Sequence, residues 1–128
     1  MRRHLLLALG VVAVMSTVPA YAHHSFAATY FEDKTQSIEG DLVAFLFRNP
    51  HSFVQVEAPD EKGQMTRWSV EWGAGLQLNR QGVTRETLHP GDHVIITGNP
   101  GRTAEDHRLR MRTISRPKDG WKWGGTFD

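Results

Sequence analysis

Two histidines stand side by side at His23 and His24, and a third follows a proline at His51. If the chain is cut after Ala22, His23 carries both a free α-amine and an imidazole. Those two nitrogens chelate one metal, and a histidine from elsewhere in the fold completes a brace of nitrogen donors. Donors of this type favour Cu(II), which heads the divalent affinity series. The amine must first lose its proton, but its reference pKa of about 8 keeps that cost small. The other reading of His23 and His24 is a solvated terminus whose histidines merely follow a cleavage site. His51 also has two readings. It is the distal copper ligand, or it is a turn residue whose ring orders the Asn49-Pro50 corner through a hydrogen bond.

Glu71 lies where a strand gives way to a helix. It either caps the helix N-terminus, where a carboxylate is favoured, or stands behind a ligating histidine and holds its ring. Arg108, Arg110 and Arg112 are spaced by two and share one strand face. That stripe suits an anionic ligand or a partner protein, or it is a solvated outer face. His89, His93 and His107 fall near turns and read as surface residues. There is no G-x-S-x-G elbow, no H-E-x-x-H, no phosphate loop and no carboxylate pair, so conventional hydrolase or transferase chemistry is not expected. With no cysteine in the chain, disulfides, thiolate metal sites and a cysteine nucleophile are excluded.

The reading of His23 depends on export. Arg2 and Arg3 form a basic start, Leu5 to Met15 is an unbroken apolar run, and Ala20-Tyr21-Ala22 offers the small residues that signal peptidase accepts. The run is shorter than the roughly 20 residues that span a bilayer. Residues 1–22 are therefore expected to be a cleavable signal peptide that leaves no membrane anchor, and the protein is expected in a bacterial periplasm. Removing 22 of 128 residues leaves 106, enough for one small core. Taking Arg2 and Arg3 from the 15 Lys+Arg leaves 13 against 14 Asp+Glu, or −1. An exported, nearly neutral protein is not expected to bind nucleic acid.

The elements that must position these residues are mostly strands. Residues 23–35 read as an extended arm, 14 residues from His23 to Gln36 being long enough to reach either end of a small barrel. Residues 36–48 form a long first strand, with Gly40 marking a bend or bulge, and Asn49-Pro50 ends it. Ser52–Ala58 and Gln64–Trp72 alternate apolar with polar residues. Ala74–Gln81 has helical spacing, with Gly82 placed to end it. Thr84–Leu88 reads as one more helical turn capped by Thr84. His89-Pro90-Gly91-Asp92 is a type II turn. Val94–Ile96 and His107–Ile114 are further strands, and Trp121–Trp123 adds a short last one. Three strands, a helix and two strands are the plan of an OB-type barrel. The domain is thus expected over residues 36–128 as a mainly β, OB-like barrel of five to six strands. One helix is expected between strands 3 and 4, and an open β-roll is the alternative. Ile38, Leu42, Val54, Val56, Trp68, Val70, Leu78, Val94, Ile96 and Leu109 are expected to share one core.

In order along the chain, four motifs form a set: His23-His24-Ser25-Phe26, Asn49-Pro50-His51, Trp68-x-x-Glu71 and Leu88-x-Pro90-Gly91-Asp92-x-Val94-x-x-x-Gly98. The set resembles the exported bacterial proteins of domain-of-unknown-function family 6152. The resemblance covers nearly all of the mature chain and implies export, a single small β domain and the importance of those positions. It implies no reaction. The Trp121-Lys122-Trp123-Gly124-Gly125 ending departs from the family's plainer tail.

These readings converge on an exported binding module without turnover, with a copper site formed by His23, His51 and neighbouring His24 as its sharper form. Two alternatives belong to other classes. One is an adaptor that binds an anionic ligand or protein partner through the barrel face and its arginines. The other is a copper-dependent redox enzyme with an open coordination position.

Overall fold

The computed structural model describes residues 26–127. The expected signal peptide and cleavage point, with His23 and His24, lie outside the described residues. The described residues form six strands: β1 Gln36–Leu46, β2 Phe53–Pro59, β3 Met65–Glu71, β4 His93–Pro100, β5 Arg108–Arg116 and β6 Trp121–Gly124. One α-helix, α1 (Gly75–Arg80), connects β3 to β4, and a 3₁₀ turn at Ala104–Asp106 precedes β5.

β1 is shared by both halves of the sheet. Its first half, Gln36 to Asp41, pairs with β4, and its second half, Asp41 to Leu46, pairs with β2. β2 pairs with β3 and β4 with β5, all antiparallel. A parallel pairing of β3 with β5, from Ser69↔Arg108 to Glu71↔Arg110, closes the ring. The strand order around it is 1-2-3-5-4, the closed five-stranded Greek-key arrangement of an OB-like barrel. Closure leaves no free edge in the ring. β6 extends beyond it, paired only with β5.

Gly40 lies beside the point where β1 changes partner. A side chain there would drive a Cβ into the Glu57 carbonyl oxygen and against Ala58. The register slips at Leu42/Ala44, two residues further on, so the bulge is there and Gly40 provides the close strand crossing. Replacing Gly40 with alanine must push backbone against backbone, and overpacking of this kind costs about 1–3 kcal/mol or more. Gly40→Ala is expected at the upper end, read as a lower urea midpoint at unchanged slope.

α1 ends as its sequence suggests. Gly82 has φ +85°, the Val83 N–H donates to the Leu78 carbonyl, and the Gly82 N–H donates to that of Asn79. These are the paired bonds of a Schellman motif, which favours glycine at its left-handed position. Gly91, at φ +93°, turns the chain before β4, with the Asp92 N–H bonded to the His89 carbonyl. Thr84–Leu88 is a turn and not the helical turn expected. The Thr84 hydroxyl accepts the Glu86 N–H, and the Thr87 hydroxyl accepts that of Thr84. Side-chain hydroxyls that satisfy nearby backbone amides compete with helix.

All ten expected core residues are buried. Phe26, Tyr30, Trp72, Met111, Ile114 and Phe127 are buried with them. The arm is not simply extended. Residues 26–29 form a helical turn and Tyr30 bridges to Gly101. Four residues apart, Phe26 and Tyr30 fall on one side of that turn, and both are buried. Asn99, itself buried, ties the arm down by donating to the Lys34 carbonyl at 2.8 Å. The aromatic tail has a packing role. Trp123 meets Trp72 edge-on at 5.0 Å, and its indole N–H donates to Gln81 at 3.0 Å.

Candidate functional site

Alternation along β3 sends Trp68 and Val70 into the barrel and Glu71 outward. Outward does not mean exposed here, because the arm covers this part of the surface and Glu71 is only 7% accessible. Its carboxylate gathers three partners. The Tyr30 hydroxyl donates to Oε1 at 2.8 Å, and Arg108 Nη2 approaches the same oxygen at 3.4 Å. His51 Nδ1 lies 2.9 Å from Oε2.

The fold brings His51 there by extending the β2–β3 ladder past its named ends. The Ser52 N–H donates to the Gly73 carbonyl at 2.9 Å, and the Trp72 N–H donates to the Ser52 carbonyl at 2.8 Å. The Ser52 hydroxyl accepts the Arg48 N–H across the corner, where the Asn49–Pro50 peptide is cis. The His51 ring then packs in a three-ring cluster with two phenyl groups that also touch each other. Phe26 stacks on it at 5.4 Å and 28°, and Phe127 meets it edge-on at 6.1 Å. With Nδ1 held by the carboxylate, Nε2 is the ring atom left for another role. It has no hydrogen-bond partner among the described residues.

Glu71 does not cap α1. The helix begins after Ala74 with no side-chain cap and no acidic residue in its first turn, because the carboxylate is already taken by Tyr30, His51 and Arg108.

The three arginines of β5 all have partners within the chain. Arg108 reaches Glu71. Arg110 lies over the Phe26 ring at 3.8 Å and donates to the Phe127 carbonyl at 2.7 Å. Arg112 donates to Asn99 at 2.8 Å. The stripe thus ties the arm and the tail to the barrel. His93 bridges Glu39 and Asp41 on the surface between β1 and β4, and those carboxylates raise its pKa.

Burial, and then the Glu71 carboxylate, push the Tyr30 phenol well above its ordinary value of 10.0. The folded protein keeps this proton where an unfolded tyrosine, with a pKa of about 10, would lose it. The resulting stabilisation is complete below that pH and is lost as pH rises above it. Between about pH 9 and 11 the urea midpoint is expected to fall less steeply in Tyr30→Phe than in the parent. Equal slopes would show that Tyr30 titrates alike folded and unfolded.

Sequence reading missed Tyr30, Phe26 and Phe127 as parts of this site. The available signal was the four-residue spacing of two aromatics directly after the histidine pair. Among the described residues, no three His, Cys, Asp or Glu side chains converge as a metal cluster. The described residues therefore supply one free imidazole nitrogen and the carboxylate that orients it, not a complete metal site.

Residues 11–110 match the sequence profile of a family described as Family of unknown function (DUF6152). The chain belongs to this family. The match takes in both His51 and Glu71, as well as Tyr30 and Arg108. Phe127 and the β6 tail lie beyond the matched residues. No curated protein and no solved structure matches the chain.

Proposed function

We propose that this DUF6152 protein is an exported binding module that takes up one Cu(II) ion through the mature N-terminus and His51. The donors are the α-amine and imidazole of His23 and the Nε2 atom of His51. When bound, copper would supply a tight nitrogen-ligated centre, and no turnover is assigned to it. His51 gives the distal nitrogen, and Glu71 fixes its tautomer by accepting the Nδ1 proton, the usual arrangement behind a ligating histidine. Phe26 and Phe127 pack against the ring and against each other.

The observation that carries this reading is the His51–Glu71 contact at 2.9 Å beside Phe26. Three residue steps lead from His23 to Phe26. At no more than about 3.6 Å each, they keep the two Cα atoms within about 11 Å. Phe26 is fixed on His51, so a chain starting at His23 starts near His51. Chain length alone favours a shared site over two distant ones. The adaptor reading of Arg108, Arg110 and Arg112 draws less support, because those side chains are engaged inside the chain.

Titration of Cu(II) into protein matured by export tests the reading. About one equivalent should bind. His51→Ala should weaken that binding by more than the 10–100-fold that loss of a supporting residue brings. His24→Ala should matter less, since His23 already supplies the chelate. Unchanged affinity in His51→Ala would remove His51 from the site.

A further inference from the structure

A separate cavity of about 460 Å³ opens at the barrel mouth formed by the β2–β3 turn, the β4–β5 connection and the end of the arm. Its volume lies within the range of small-molecule sites, and barrel mouths are a recurrent place for them. Neither His51 nor Glu71 lines it.

Three features give the cavity a chemical character. Trp68 lines it with its ring edge-on to His107 at 5.1 Å. His107 is the one described residue other than glycine at positive φ, +47°. A non-glycine residue in this left-handed region is uncommon, and such residues cluster at ligand sites. Two backbone bonds hold it there. Its N–H donates to the Ala104 carbonyl at 3.2 Å, and its carbonyl accepts the Ser69 N–H at 3.0 Å.

The third feature is a pair of cations on one ring. Lys34 Nζ lies 4.0 Å from the Phe31 ring centroid and the Arg102 guanidinium 4.7 Å from it. The two charges are therefore no more than 8.7 Å apart, the sum of those distances. Neither has an ion-pair partner among the described residues. Lys62 and Arg108, the latter already paired with Glu71 of the His51 site, line the same space. The acids facing it are Asp60, Glu61 and Glu105. Asp60 is committed to its own turn, accepting the N–H groups of Lys62 and Gln64. Glu61 and Glu105 are exposed and would repel a polyanion. A single negative charge beside Lys34 and Arg102 meets less of that repulsion than a polyanion would, and the rings of Phe31, Trp68 and His107 border the same space.

We propose that this cavity binds a small organic monoanion with a flat apolar body, of the aromatic carboxylate class. The carboxylate lies against Lys34 and Arg102, and the ring system lies towards Trp68 and His107.

Titrating the mature protein with 2-naphthoate, followed by NMR, tests this. The Trp68 indole N–H and the His107 ring signals should shift saturably, while those of Trp121 and Trp123 stay in place. The neutral isostere 2-naphthamide should bind at least about tenfold more weakly, the worth of one charge-assisted hydrogen bond. Lys34→Gln should cost about the same. It leaves intact the Arg102 bond to the Ala27 carbonyl that holds the arm. Combining it with Arg102→Gln should abolish saturation. Equal binding of naphthoate and naphthamide, or equal binding by Lys34→Gln, would overturn the proposal. So would shifts confined to Trp121 and Trp123, or inorganic phosphate competing as strongly as naphthoate.

Discussion

Replacing Trp68 by alanine is expected to lower the unfolding free energy by about 3–5 kcal/mol, the range for large aromatic truncations in cores. Trp68 is 4% accessible, on the inner face of β3 opposite Val56. Its indole N–H donates to the Ala58 carbonyl at 3.2 Å, so alanine removes the packing and also leaves that carbonyl short of a partner. The site cannot collapse easily, because β2 and β5 flank β3 on its two sides. Urea denaturation gives the value directly. A loss below about 1 kcal/mol, the typical cost of an ordinary substitution, would mean that Trp68 lines the cavity without anchoring the barrel.

The second large effect is expected at Glu71. Glu71→Ala removes the acceptor of a buried tyrosine hydroxyl, the partner of a histidine and one charge of an ion pair. Breaking a buried pair by deleting one member costs about 3–5 kcal/mol. Arg108, at 35% side-chain exposure, is partly solvated and recovers some of that in water, so about 2–3 kcal/mol is expected. Glu71→Gln keeps an acceptor for Tyr30 and should cost less. If Glu71→Ala is as stable as the parent, the carboxylate does not hold the arm to the barrel. A Glu71→Ala protein that is less stable yet binds Cu(II) as tightly as the parent would show that Glu71 serves the fold alone.

The barrel could be read from the sequence because its signals are local. Alternation in Ser52–Ala58 and Gln64–Trp72 gives a strand and its inward face in one step, and Val54, Val56, Trp68 and Val70, expected in the core on that basis, are buried. Gly82 and Gly91 mark turns by a backbone conformation that few other residues adopt. The site was less legible because its packing is long-range. Nothing near Glu71 in the sequence announces that Tyr30, 41 residues earlier, will donate to it. Phe26 and Phe127, almost at opposite ends of the chain, meet edge-on at 5.7 Å, which no periodicity could have shown. The arginine stripe was seen correctly as a face, but its role depends on what covers the face. The arm and the tail cover it, and both look like loose ends in sequence. His107, read as a residue near a turn, is half-buried there, and only its φ angle and its contact with Trp68 set it apart.

The central claim is that the mature N-terminus and His51 share one copper ion. It is tested most directly by comparing Cu(II) affinity in two forms of the full mature protein, one beginning at His23 and one carrying a single extra residue before it. The extension removes the α-amine ligand and changes no side chain. About one equivalent is expected to bind to the first form, with a loss of at least 10–100-fold in affinity for the second. Equal affinity in the two forms would contradict it and leave only the ordinary attraction of neighbouring histidines for copper.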